Sequence, residues 1–153
     1  MSDQSENRIL IKDVLLVESE FLRTEFGFTE DVKEEVSLSL KIENENEKEF
    51  FVYVFLNFDL KNKTNEELVK SKVIMKGIFE LTNEKPTYFN DFICINAPAI
   101  IYPYLREHLS SLTNKSGLPP VNLPPFNFVH FGKEYMKEKL KESIEASKNP
   151  VKN

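Results

Sequence analysis

Residues 50–60 read FFVYVFLNFDL, and this run decides the fold. Phe50, Val52, Val54, Leu56, Phe58 and Leu60 recur at every second position, the period of a strand that lays one face on a core. Phe51, Tyr53 and Phe55 make the first half of the opposite face apolar as well. Just before it, residues 35–43 alternate in the same way: Val36, Leu38, Leu40 and Ile42 point one way, and Glu35, Ser37, Ser39 and Lys41 the other. The polar run ENENEKE at 43–49 joins the two as a hairpin. Beyond a turn at 61–65, Val69, Val73, Met75, Phe79 and Leu81 share a parity that Lys70, Lys72, Lys76 and Glu80 avoid, which makes another strand.

Toward the N-terminus, residues 8–17 form a strand that is apolar on both faces. Ile9, Ile11, Leu15 and Val17 lie on one side, interrupted by Asp13, with Leu10, Val14 and Leu16 on the other. Such a strand must be covered twice, and a second subunit is a candidate cover. Residues 19–33 break the alternation with Phe21, Phe26, Gly27 and Phe28, and read as a long crossover loop carrying exposed rings. A loop of that length in a compact domain is usually functional.

Helical spacing takes over after the strands. Asn96 is placed to cap a helix with Pro98 in its first turn, and Ile101, Tyr104, Leu105, His108, Leu109 and Leu112 form an apolar stripe that ends at 114–117. Pro103 either kinks this helix or starts it, because an interior proline removes a hydrogen bond. Residues 118–127 contain four prolines, which hold the backbone extended. A last helix over 128–146 carries Phe131, Tyr135, Met136, Leu140 and Ile144 opposite a charged side. Strands first and helices last predict an α+β fold, a four-stranded antiparallel sheet with two long C-terminal helices packed on one side. The expected organisation is a disordered 1–7, a single domain at 8–146 and a frayed tail at 147–153.

The chain has 153 residues, enough for one core, and is 41% hydrophobic with 13 phenylalanines and four glycines. A formal charge of −5 argues against a nucleic-acid partner. The start lacks a secretory pattern, and the longest apolar run, 50–56, is too short to span a bilayer, so the expectation is a cytoplasmic protein with no membrane insertion. One cysteine, Cys94, makes neither an internal disulfide nor a zinc site, and no cofactor or metal is expected. His108 and His130 carry no catalytic motif, and no nucleophile elbow, phosphate loop or metalloprotease signature is present; the chain reads as a non-enzyme. Rings outside the regular elements, Phe26, Phe28, Phe126 and Phe128, together with Leu118, Val121 and Leu123, either wall a groove or fill the core. A contiguous exposed apolar surface marks a binding site.

Residues 96–131, NAPAIIYPYLREHLSSLTNKSGLPPVNLPPFNFVHF, carry two linked motifs. Ala97, Pro98, Ile100, Tyr102, Pro103, Tyr104, Arg106 and Glu107 are followed by Gly117, Pro119, Asn122, Leu123, Pro125, Asn127 and Phe128. In this the chain resembles the SecB family of protein-export chaperones. The resemblance implies an ATP-independent chaperone that holds unfolded client polypeptides, and a homotetramer built as a dimer of dimers. It assigns Ile9, Ile11 and Leu15 of the first strand, and Tyr104, Leu105, His108 and Leu112 of the helix, to the oligomer interfaces. It assigns client binding to Phe26, Phe28, Tyr104, Leu118, Val121, Leu123, Phe126, Phe128, Phe131 and Tyr135. It also implies docking to the motor SecA through acids on the first and fourth strands. Asp13 matches the first of these, the second is displaced to Glu18 with Val17 in its place, and Lys72 stands at the acidic position of the fourth strand. A reversed charge in a partner's footprint replaces attraction with repulsion. That departure motivates an alternative, a SecB-like chaperone with a dedicated client such as an antitoxin; a carrier of small apolar ligands is a further one.

Overall fold

A computed structural model describes residues 8–24 and 31–148. The expectations for 1–7, for Phe26, Gly27 and Phe28, and for the tail from 149 onward lie outside the described residues. Four strands come first: β1 (Ile9–Arg23), β2 (Val32–Asn44), β3 (Glu49–Asn62) and β4 (Glu67–Leu81). They form one antiparallel sheet in the order β1-β4-β3-β2, so β1 and β2 are its two edges. Asparagine side chains shape both hairpins. Asn46 Oδ1 accepts the Lys48 and Glu49 amides, Asn62 Oδ1 accepts those of Thr64 and Glu66, and Asn65 takes a positive φ of 64°.

The central strands follow their sequence period. Phe50, Val52, Val54, Leu56, Phe58 and Leu60 of β3 meet Val69, Val73, Met75, Phe79 and Leu81 of β4 on the buried face. Phe50 stacks on Phe79 at 5.4 Å between ring centroids. Leu38, Leu40 and Ile42 of β2 pack against the margin of this core.

The edge strand β1 departs from its expected parity. Register shifts at Ile11/Asp13 and Leu16/Glu18 insert extra residues, and each insertion turns the following side chains to the other face. Ile9, Ile11, Val14 and Leu16 therefore stand opposite Leu81, Phe79, Gly77 and Met75 on the helix side, while Leu15 pairs with Lys76 on the outer face. The strand also runs on to Arg23, so Phe21 belongs to β1 rather than to a loop, and packs against the core.

The helical half begins earlier than expected. A single turn, α1 (Phe89–Asp91), passes through a π-helical segment (Phe92–Asn96) into α2 (Ala97–Lys115) without a break. Asn96 is itself helical, at φ −72° and ψ −44°, and makes no side-chain cap. In the π turn the Ala97 N–H reaches back to the Phe92 carbonyl. Pro98 then falls where it has no N–H to offer. Pro103 lies inside α2, which neither starts nor stops there. The helix packs on β3 and β4 and touches β1, burying Ala97, Ile101, Tyr102, Leu105, Leu109 and Thr113. Helix α3 (Phe128–Lys148), which takes in Ser147 and Lys148 of the expected tail, rests mainly on the π segment and lies along the β2 edge of the same sheet face.

Candidate binding cleft

Between β2 and α3 runs an open cleft of about 330 Å³. Leu38 and Leu40 form one apolar wall, Phe131 and Tyr135 the other, and Glu134, Glu138, Glu142 and Lys139 form the rim. Each wall follows from its period. Leu38 and Leu40 are two apart on a strand, and Phe131 and Tyr135 are four apart on a helix. As an edge strand, β2 has one row of backbone N–H and C=O groups unmatched within the sheet. Desolvation raises the Tyr135 hydroxyl above its usual range, and the nearby Lys139 ammonium opposes this. Lys139 lies 5.6 Å from the centre of the Tyr135 ring and is held by Glu142 at 3.1 Å, which raises its own pKa.

Phe131 links the cleft to a cluster of rings. Tyr102, Phe126, Phe128 and Phe131 contact one another with centroids 5.2–6.3 Å apart. The Tyr102 hydroxyl donates to the Pro124 carbonyl at 2.7 Å, fixing the proline loop over α2; desolvation raises its pKa. Tyr102 itself is buried, Phe126 is exposed, and Phe128 and Phe131 are half-buried.

Several expected site residues lie elsewhere. Leu118, Val121 and Leu123 are buried in this subunit, with Leu123 only 1% exposed, and none of them lines the cleft between β2 and α3. Gly117, at φ 80°, turns the chain back after α2, and Thr113 Oγ accepts the Val121 amide at 3.0 Å, which tucks the apolar side of the loop inward. Leu105 faces the sheet at 0% exposure, which removes it from any surface that another subunit could contact. Tyr104 is half-exposed and has no ring contact in the cluster; Tyr102 takes that place. His108 meets Ser19 of β1 at 2.8 Å, Leu112 packs on the core margin, and Ile9 is partly buried. Ile11 and Leu15 are exposed along the β1 edge.

The outer sheet face gathers the charged residues. The bulge at Val17 brings Glu18 to the same face as Asp13, offsetting its displacement in the sequence, and Lys72 then pairs with Glu18 at 3.1 Å. Lys12 pairs with Glu80 at 3.2 Å and Lys76 lies 3.7 Å from the centre of the Phe51 ring. Cys94 is buried, and that burial, with Asp91 adding to it, pushes its thiol up to about 11, far from a reactive thiolate. Among the described residues no group of three or more His, Cys, Asp and Glu side chains is placed to hold a metal, and no helix is long and apolar enough to cross a membrane.

The model of the family described as preprotein translocase subunit SecB matches residues 4–139, which takes in all four strands, α2 and the first turns of α3 with Phe131 and Tyr135. The chain belongs to the SecB family. Protein-export protein SecB of Chromobacterium violaceum is 29% identical over 136 residues, which are 84% of this chain and 89% of that protein. SecB of an Acidovorax species is 41% identical over 69 residues, covering 45% of this chain and 44% of that one. Among solved structures, the Mycobacterium tuberculosis Rv1957 SecB-like chaperone, in complex with a ChAD peptide from the Rv1956 HigA1 antitoxin, superposes with a TM-score of 0.70. It is 16% identical and covers 78% of this chain and 91% of that one, a likeness of fold.

Proposed function

We propose that this protein is an ATP-independent chaperone that holds non-native polypeptides in the cleft between β2 and α3 and keeps them competent for export. The observation that carries this reading is the half-buried apolar lining of Leu38, Leu40, Phe131 and Tyr135 in an open cleft, set beside an unmatched strand edge and continuous with the ring cluster. An extended chain satisfies both features at once, giving backbone bonds to the edge and alternate side chains to the apolar walls. Several such weak contacts along one client add up through effective concentration.

Family membership supports a cytoplasmic homotetramer, a dimer of dimers. Six exposed apolar residues on β1, namely Leu10, Ile11, Leu15, Leu16, Val17 and Leu22, are surface that such pairing would cover. The Glu18–Lys72 pair favours a second reading, in which the protein serves a dedicated client and SecA is not recruited, because the acid is neutralised within the subunit. Light scattering during size exclusion, with and without a reduced, unfolded model protein, tests the main reading. A tetramer that co-elutes with the unfolded chain is the expected result, and a monomer that ignores it would overturn the proposal. Adding SecA separates the two readings: binding that is abolished by Asp13→Lys would exclude the dedicated-client form.

A further inference from the structure

Gly132 lies in the first two turns of α3, one residue beyond Phe131 and three before Tyr135. Its Cα faces the π segment so closely that an added Cβ would stand 2.5 Å from the Cys94 carbonyl oxygen, 2.5 Å from Ile95 Cγ1 and 2.9 Å from the Cys94 carbonyl carbon. Two of these three obstacles are backbone of a helical segment, which cannot swing aside as a side-chain tip can. Pro98, four residues after Cys94, has no N–H for an α-helical bond to that carbonyl, whose oxygen faces Gly132 of α3. The π segment is also the element α3 packs against most, which makes this contact the seat of the whole helix.

We propose that Gly132 is a positioning residue that sets the width of the cleft, and hence the size of client side chain it accepts. This rests on the chaperone reading. Any side chain at 132 would have to lift the N-terminal turns of α3 by roughly 1 Å to reach ordinary contact distance. Phe131 and Tyr135 would then move away from Leu38 and Leu40. A gap of that order forfeits about a quarter to a half of each dispersion contact. Short side chains lose most, because long rings can follow the retreating wall.

The test uses two extended peptides, identical except for leucine or phenylalanine at alternate positions, titrated against the full-length protein. With Gly132→Ala the leucine peptide should weaken by about tenfold and the phenylalanine peptide by less than about threefold. Leu40→Ala, which widens the cleft from the opposite wall, should shift the ratio in the same direction whether or not Gly132→Ala folds well. Val54→Ala, a cavity in the sheet core, should lower the melting temperature and leave the ratio unchanged. A ratio unmoved by Gly132→Ala or Leu40→Ala, or moved equally by Val54→Ala, overturns the assignment while leaving the chaperone reading intact. Wild-type protein that binds neither peptide overturns both.

Discussion

Helices α2 and α3 read alike in sequence, each an apolar stripe opposite a charged side, yet they meet different fates. Helix α2 spends its stripe on the sheet, with Ile101, Leu105 and Leu109 at 0% exposure. Helix α3 spends only its first turns, through Phe128, Gly132, Tyr135 and Met136, and leaves Leu140 63% exposed. One helix holds the fold together and the other offers a surface. The difference comes from where each is seated. Helix α2 crosses the middle strands β3 and β4, whereas α3 rests mainly on the π segment and reaches the sheet at its β2 edge.

The sharpest way to break this contrast is to truncate the same residue type on each helix. Leu105→Ala should cost about 3 kcal/mol, a transfer loss plus a cavity with no room to collapse, and Leu140→Ala about 0.5 kcal/mol or less; urea unfolding compares them directly. Comparable losses would mean that α3 is packed against something in solution. Next in size is Thr113→Val. It deprives the buried Val121 amide of its acceptor and should cost about 2 kcal/mol, read from the same unfolding curves.

Smaller still is a pH effect at the seat of α3. Burial, with Asp91 beside it, raises the folded Cys94 thiol to about 11, against 9.0 for the unperturbed group. Unfolding lets it ionise earlier, so the unfolded state binds fewer protons between these values and stability falls as pH rises through that window. At pH about 10 the loss is roughly 1 kcal/mol, and Cys94→Ala should flatten this arm of the stability profile relative to wild type. Parallel profiles would show that the thiol is not sealed beneath α3.

The strands were legible because a period of two leaves little choice once one face is apolar, and β3 and β4 needed no correction. Helix α2 was legible as an element, and Ile101, Leu105 and Leu109 of its stripe are buried, but the flank of the stripe lies on the other side. Tyr102 and Thr113 are buried beside it, whereas Tyr104 is half-exposed, because amphipathic tyrosine and histidine carry no clear inward or outward signal at helical spacing. The bulges in β1 could not be read, since no local residue marks them and only pairing with β4 shows that Ile11/Asp13 and Leu16/Glu18 slip. Of the cleft, Phe131 and Tyr135 were visible as ring positions on a helix. Leu38 and Leu40 were visible only as core, because a half-covered edge strand and a buried one carry the same alternation. The proline loop misled for a related reason. Thr113 and Gly117 turn its apolar side inward.

Hydrogen exchange on the full-length protein, measured with and without a reduced, unfolded model protein, tests the central claim most directly. The account predicts that the client slows exchange along the free edge of β2 around residues 38–40 and in the first turns of α3 around 128–135, while the core of α2 stays as it was. Protection confined to β1 or the outer sheet face, with the cleft unchanged, would contradict it.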